Sequence, residues 1–298
     1  MLKINKILFP IDFTENSLKI LPYMTSVAET YKSMICLLHV APDVNYWGIQ
    51  YLPPYPPLEE AQKKILESAE KTMDDVCEKH LKSYPDLQRK IVSGEPSYEI
   101  LKTIDFENVD LVIIGTHGRK GLDTIFGSVA ENVLKNSSVP VLSINPYKSK
   151  KTDWKINKIL FPIDFTENIS KILPYVLWAS ENFKSAICLV HVIDDTFKFG
   201  QAYSLAWDKK KIAKEAENAM DKICEKELQG CPNFQRKIVF GDPGPTILKT
   251  IESENIDLVI MGTHGRRGLE HTLFGSVAEN VVKRSTVPVL TINPYTYK

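Results

Sequence analysis

The strongest constraint on the fold of this chain is an internal duplication. Residues 155–168 repeat residues 3–16 with fourteen consecutive identities, KINKILFPIDFTEN. The likeness continues in order to VPVLSINPY in the first copy and VPVLTINPY in the second. A length of 298 residues accommodates two domains of about 150 residues. We therefore predict two similar domains, residues 1–147 and 153–298, joined by a short polar linker at 148–152.

Each copy alternates short apolar runs with longer segments of helical period. In the second copy the runs KILFPI, AICLVHV, RKIVF, DLVIMG and VPVLTIN predict five strands. Segment 166–183 has an apolar stripe at helical spacing, and the charges of segment 209–228 predict a helix with a solvated face. Pro22 and Pro174 lie in the first helical segment of the two copies, where we expect a kink or an early break. This alternation predicts an α/β fold with a doubly wound parallel sheet.

The composition argues against several classes of partner. The 37 basic and 37 acidic residues cancel, so the basic excess typical of nucleic-acid binding is missing. The five cysteines have no metal-site spacing, and no run of eighteen apolar residues occurs. We therefore predict a cytoplasmic protein with reduced thiols and without a nucleic-acid or membrane partner.

A glycine-rich segment follows the run DLVIMG. Gly262 and Gly265 open it, and nine residues separate Gly265 from Gly275-Ser276 at the start of a predicted helix. Glycines allow close approach of a ligand, and a helix N-terminus offers free N–H groups to a phosphate. The segment contains neither a P-loop nor a dinucleotide fingerprint. It therefore predicts a different kind of phosphate-binding site.

An aspartate ends the first strand of each copy. If the first and fourth strands are neighbours, Asp164 and residues 262–265 face one crevice, because ligands bind beyond the carboxyl ends of strands where the strand order reverses. A structural alternative is that Asp12 and Asp164 form buried turns before a helix that Thr14 or Thr166 caps.

Both copies resemble the universal stress protein domain, and the whole chain resembles tandem members of that family. The features that carry the resemblance are ILFPIDFTEN, the LLHV or LVHV of the second strand, and the glycine segment, which in the second copy has the full pattern G-x-x-G, nine residues, G-S. The resemblance implies a five-stranded parallel sheet of order 3-2-1-4-5 with helices on both faces. It also implies a protein that binds ATP together with magnesium or manganese.

By position, the resemblance implies one set of ATP-binding residues in each copy. Asp164 and the main chain of Val192 would hold the adenine and ribose. The rest of the second-copy set, mainly on the phosphate side, is Met261, Gly262, Gly265, Arg266, Gly275, Ser276 and Val277. The corresponding first-copy set is Asp12, Val40, Gly115, Gly118, Gly127, Ser128 and Val129. No catalytic or metal-ligating residue is assigned.

Structural roles compete with binding roles at several of these positions. The pairs Ser128–Glu131 and Ser276–Glu279 match the S-x-x-E capping box, which requires no ligand. We expect the histidines at strand ends to be packed and hydrogen-bonded, and those between the glycines to make structural or ribose contacts; these are His39 and His191, and His117 and His264. The basic residues after the glycines either clamp phosphates or lie in a solvated loop; they are Arg119, Lys120, Arg266 and Arg267.

Two segments suggest contacts beyond the nucleotide. Residues 46–57, rich in tyrosine and proline, occur only in the first copy and predict docking, either onto the protein itself or onto a partner. The runs VPVLSIN and VPVLTIN predict edge strands, which tend to pair. We expect the two copies to form a pseudo-dimer through these fifth strands, and whole chains can dimerise further.

The first copy is one residue shorter between Gly118 and Gly127 than the second is between Gly265 and Gly275. One residue spans about 3.3–3.6 Å, so the deletion predicts displacement of the first Gly-Ser pair unless the loop absorbs it. We therefore expect one strong ATP site, in the second copy. The predicted function is ATP-dependent regulation in the stress response; the alternatives are an ATP-using enzyme or slow ATPase, and a nucleotide-free scaffold.

Overall fold

The computed structural model describes residues 3–44, 58–116, 127–148, 155–166, 168–196, 208–228, 233–263 and 274–296. The chain divides into two compact units, called here the first unit (Lys3–Tyr147) and the second unit (Lys155–Tyr297). The proline-rich segment 46–57 lies outside the described residues. Within the described ranges, no helix has both the length and the apolar character needed to span a membrane.

The first unit has five parallel strands in the order β3-β2-β1-β4-β5. The strands are β1 (Lys6–Pro10), β2 (Met34–Ala41), β3 (Leu87–Ser93), β4 (Leu111–Gly115) and β5 (Val141–Ile144). The helices are α1 (Glu15–Leu18), α2 (Leu21–Tyr31), α3 (Leu58–Val76) with a π-helical turn (Cys77–Leu81), α4 (Pro96–Phe106) and α5 (Ser128–Asn136).

The second unit repeats this topology with the strand order β8-β7-β6-β9-β10, all parallel. The strands are β6 (Lys158–Pro162), β7 (Ala186–Ile193), β8 (Phe234–Phe240), β9 (Leu258–Gly262) and β10 (Val289–Ile292). The helices are α6 (Ile169–Phe183), α7 (Lys209–Glu227), α8 (Pro243–Ser253) and α9 (Ser276–Arg284). The predicted fold class and strand order are confirmed in both units.

The apolar runs form the core because the sheet is covered on both faces. Ile159, Leu160 and Phe161 of β6 are consecutive and at most 1% exposed. Such continuous burial is typical of a parallel sheet between two helical layers, since neither face of a central strand meets water. The edge strand β8 is only partly buried along most of its length.

The two prolines have different effects on their helices. In the first unit Pro22 lies in the first turn of α2, and α1 ends at Leu18 before it. A proline costs no hydrogen bond there, because the first N–H groups of a helix have no partner within it. In the second unit α6 continues through Pro174. Leu173 and Val176, on either side of this proline, are buried in the core. The predicted break therefore occurs only in the first unit.

The cysteines of the described chain are buried and form no disulfide. They are Cys36, Cys77, Cys188 and Cys224. Burial raises the pKa of each of these thiols above its ordinary value, which disfavours the reactive thiolate.

In each unit one carboxylate forms ion pairs with two lysines that lie on different strands. Glu254, directly after α8, contacts the Lys158 Nζ of β6 at 2.7 Å and also the Lys237 Nζ of β8. The strand β7 lies between β6 and β8, so this one carboxylate links both of its neighbours. Glu107 repeats the arrangement in the first unit with Lys6 and Lys90, each at 2.7 Å. Hydrogen bonds from Lys158, Lys237 and Gln235 lower the pKa of Glu254 to about 2.

We expect Glu254→Gln to lower the urea midpoint of unfolding in a pH-dependent way. The carboxyl pKa is about 2 in the folded chain against an ordinary 4.5, so ionised Glu254 stabilises the fold fully above about pH 4.5. That contribution is lost as the pH falls toward 2. The midpoint difference between wild type and variant should be constant near neutral pH and shrink below about pH 4.5.

The matched control for this prediction is Glu252→Gln, which changes an exposed carboxylate on the same helix. It should leave the urea midpoint nearly unchanged at every pH. A Glu254→Gln difference that persists undiminished down to about pH 2 contradicts the proposed ion-pair role.

Candidate functional site

A cleft of 920 Å³ lies at the carboxyl edge of the sheet in the second unit. It forms there because β6 pairs with β9, through Ile159 with Leu258 and Leu160 with Val259, and the strand order reverses between them. Segments after β6, β7, β8 and β9 all contribute to its walls. Its volume is typical of a small-molecule site.

The cleft brings together most of the second-copy residues named from the sequence. Those that line it are Asp164, Val192, Met261, Gly262, Gly275, Ser276 and Val277. Gly265 and Arg266 lie outside the described residues, as do Gly118 of the first copy and the histidines His117 and His264.

The first-copy residues occupy the same places in their own unit. Asp12 follows β1, Val40 lies in β2 and Gly115 ends β4. Gly127 precedes α5, whose first two residues are Ser128 and Val129.

The start of α9 presents free N–H groups to the cleft. Gly275 is the N-cap, with φ −63° and ψ 134°, and its own N–H donates to the Thr263 carbonyl at 2.8 Å. No described side chain caps the helix. The N–H groups of Ser276, Val277 and Ala278 therefore have no partner within the helix, and all three residues line the cleft. Together with the helix dipole they make this end of the cleft favourable for an anion.

The predicted capping boxes are wrong. Ser276 is the first residue of α9 and Ser128 the first of α5, so a glycine holds the N-cap in both units. Glu279 pairs with Lys283, one helical turn further on, instead of reaching back to the helix start. Ser276 makes no hydrogen bond with the described residues through its hydroxyl, which leaves this group available to a ligand.

The shorter glycine segment does not displace the start of α5. Gly127 donates its N–H to the Thr116 carbonyl at 3.0 Å, just as Gly275 does to Thr263 at 2.8 Å. The helix begins at the equivalent serine in both units. Of the two outcomes considered from the sequence, displacement of the Gly-Ser pair or its absorption by the loop, the equivalent helix start agrees with the second. Residues 117–126 lie outside the described residues.

Asp164 forms a turn and also lines the cleft. Its Oδ1 accepts hydrogen bonds from the Thr166 N–H at 3.1 Å and the Thr166 hydroxyl at 2.7 Å. Asp12 makes the same pair of bonds to Thr14, at 3.0 and 2.6 Å, and Thr14 in turn caps α1. The turn-forming role therefore exists in both units, and it orients Asp164 at the cleft rather than excluding it from the site.

The residue after this aspartate has an unusual backbone. Phe165 has φ 61°, a left-handed conformation that is uncommon for a residue with a bulky side chain. Its ring packs against the ring of His191, with 4.1 Å between the centroids, and both residues line the cleft. Phe13 repeats the conformation with φ 60° in the first unit. Strain of this kind persists where the surrounding packing over-determines it, often at a ligand site.

His191 is a packed and hydrogen-bonded side chain, as the sequence predicts. It is 8% exposed, and its Nδ1 lies 2.8 Å from the Ile163 carbonyl oxygen. Because a carbonyl oxygen only accepts, Nδ1 carries the proton. His39 makes the equivalent contact to Ile11 at 2.8 Å and is 5% exposed.

Several residues that line the cleft were not predicted from the sequence. Helix α7 contributes Ile212, Ala216 and Ala219, which recur at helical spacing and so signal a second, apolar face on a helix interpreted only as charged. Phe274, just before Gly275, also lines the cleft. The carboxylates at the walls are those of Asp164, Asp194, Glu215 and Asp242.

Comparisons with known proteins match the whole chain to one family. The model of the universal stress protein family matches residues 3–145 and again 155–293. Universal stress protein MJ0577 of Methanocaldococcus jannaschii is 37% identical over 153 residues, which are 45% of this chain and 93% of that protein. Universal stress protein YxiE of Bacillus subtilis is 27% identical over 146 residues, covering 47% of this chain and 98% of YxiE.

Solved structures show the same fold over the full length. A universal stress protein from Archaeoglobus fulgidus has a TM-score of 0.69 at 24% identity, covering 98% of this chain and 99% of its own. A putative universal stress protein from Pseudomonas aeruginosa has a TM-score of 0.65 at 16% identity, covering 97% and 93%.

Glu95 and Asp242 are the equivalent N-cap residues of α4 and α8, and comparing them tests whether the Asp242 side chain stabilises its helix. Glu95 caps α4 by accepting from the Ser97 and Tyr98 N–H groups at 3.1 and 2.7 Å. Asp242 makes no such bond at α8, where Pro245 removes the N–H that corresponds to Tyr98. We expect Glu95→Ala to lower the free energy of unfolding by about 1 kcal/mol. Asp242→Ala should change the free energy of unfolding by less than about 0.5 kcal/mol. Urea denaturation measures both variants, and an equal loss of stability in the two would contradict this expectation.

Proposed function

The chain belongs to the universal stress protein family, with one family domain over residues 3–145 and another over 155–293, and from this premise we propose that its second unit binds ATP. Binding would make the protein a nucleotide-dependent regulator in the stress response. The observation that carries the proposal is the start of α9, where three free N–H groups face a 920 Å³ cleft. An anionic group of a ligand is the natural partner for such a helix end.

We assign the two ends of the nucleotide to opposite ends of the cleft. The triphosphate would lie against Gly275, Ser276 and Val277, where the N–H groups and the helix dipole favour negative charge. The adenine and ribose would lie against Asp164 and the main chain of Val192, which follow the neighbouring strands β6 and β7. The Phe165–His191 ring pair offers an apolar surface beside them.

The charges of the cleft favour a nucleotide that arrives with a cation. The described lining residues include the carboxylates of Asp164, Asp194, Glu215 and Asp242, which oppose the approach of a bare triphosphate. Magnesium or manganese bound to the phosphates reduces this repulsion. Among the described residues no cluster of three metal-ligating side chains occurs, so we propose that the cation is held chiefly by the nucleotide.

We propose one strong ATP site per chain. The helix start is alike in both units, so the difference lies in the glycine segment, which is one residue shorter in the first unit. This segment contains a glycine followed by basic residues. We propose that its length determines whether these residues reach a phosphate. Pairing of the two units through their fifth strands, and dimerisation of whole chains, stay predictions.

We expect Ser276→Pro to weaken Mg-ATP binding by about 10- to 100-fold, the effect of losing hydrogen bonds to a charged group. Proline removes the N–H and the hydroxyl together, but it suits the first position of a helix. The preceding Gly275 already has the extended backbone, ψ 134°, that a residue before proline requires. Ser276→Ala removes only the hydroxyl and should cost less. Isothermal titration calorimetry measures both variants.

The matched control is Ser128→Pro, which makes the same change at the start of α5. If the second unit holds the strong site, this variant keeps wild-type affinity with a stoichiometry of one. Two wild-type sites of equal affinity contradict the single-site proposal. Absence of ATP both after heat release from the purified protein and in the titration contradicts ATP binding and favours a scaffold. Sustained turnover of ATP would instead favour an enzyme.

A further inference from the structure

A second groove, of 380 Å³, lies beside the cleft along α7. Phe165, Glu215 and Ala219 line both spaces, so the groove and the cleft are neighbours. Its remaining lining residues are Asn218, Lys222 and Ile223. The proposed positions of adenine, ribose and triphosphate leave this groove unused.

The groove carries two hydrogen-bond donors that are not engaged by the described protein. Asn218 and Lys222 are one turn apart on α7 and therefore lie on the same face. Lys209, Lys214 and Lys226 of the same helix are ion-paired, whereas Lys222, like Lys210 and Lys211, has no ion-pair partner among the described residues. An amide and an unpaired ammonium group on one wall favour an anionic ligand group.

The groove adjoins the cleft at the end assigned to the base and ribose. Phe165, which directly follows Asp164, forms the boundary between the two spaces. Its packing against His191 holds that boundary in place. Glu215 stands at the junction, and Lys222 lies seven residues further along the helix, about 10 Å away along the axis. The Lys222 ammonium group is therefore separated from the Glu215 carboxylate at the cleft.

The first unit has a carboxylate in place of the Lys222 ammonium group and a lysine in place of the Asn218 amide. Alignment of VCEKHL with ICEKEL places Lys71 at the position of Asn218 and Asp75 at that of Lys222. A carboxylate in place of the ammonium group would repel an anion. The donor pair is therefore a property of the second unit alone.

We propose that this groove binds a phosphate group carried on the ribose of an adenine nucleotide. The inference rests on the proposed function, because it takes the base and ribose to lie beside Asp164. Substituents on the 2′ or 3′ oxygen of a ribose project sideways from the line that joins the base to the 5′-phosphates. In this arrangement such a group would point toward the groove and its donors Asn218 and Lys222, while the 5′-phosphate would remain at α9. The ligand class is an adenosine nucleotide with phosphates at both the 5′ and the 3′ positions.

The test compares adenosine 3′,5′-bisphosphate with adenosine 5′-monophosphate by calorimetry on the full chain at low salt. The two probes differ only in the 3′-phosphate. We expect the bisphosphate to bind about 3- to 5-fold more tightly, since one ion pair is gained with an exposed lysine. Lys222→Asp, which introduces the first-unit residue, should abolish this preference and change affinity for the monophosphate by less than about twofold.

Lys210→Asp is the matched control, because it makes the same charge change on α7 away from the cleft and the groove. It should leave the preference intact. Equal affinity of the wild type for the two probes overturns the groove assignment, and so does a preference that survives Lys222→Asp. In both cases binding of the monophosphate shows that the adenine-nucleotide site itself stands. Failure of both probes and of ATP to bind overturns the proposed function along with the inference.

Discussion

The pairing of the first strand of each unit with its fourth strand is the constraint on which the site depends. Successive strands are added on one side of β6 and then, after β8, on its other side. The crossover helices therefore lie on opposite faces, and the segments that leave β6 and β9 diverge. Asp164 follows one of these strands and Gly262 ends the other, so the divergence creates the cleft between them.

A single backbone hydrogen bond links the start of α9 to the end of the sheet strand that precedes it. The Gly275 N–H donates to the Thr263 carbonyl, which fixes the start of α9 beside the end of β9 whatever the length of the intervening segment. The same bond between Gly127 and Thr116 explains how the first unit accommodates one residue fewer without moving α5. The frame of the site is thus duplicated, and the two units differ in the glycine segment and in the side chains of the surrounding walls.

The regular elements were predictable because their patterns are local. The five apolar runs of the second copy all became strands, and the helix at Ser276 begins at the predicted residue. The capping box predicted at Ser276 and Glu279 does not form, because the S-x-x-E pattern does not specify which residue adopts the extended N-cap backbone. Gly275 adopts it. Pro22 and Pro174 occupy equivalent positions with buried neighbours in both units, yet a helix starts at Leu21 in the first unit and α6 continues through Pro174 in the second. The local pattern did not distinguish these two outcomes.

The sequence by itself determined the duplication, the order of strands and helices along each copy, and the spacing of the glycine segment, because each is written in neighbouring residues. The tertiary structure alone decided that Ile212, Asp242 and Phe274 line one cleft with Asp164, and that Lys222 lines a groove beside that cleft. These residues are far apart in the chain, and their meeting depends on how each helix is rotated as it packs on the sheet. Local propensity does not encode that rotation; the shape of the whole core does.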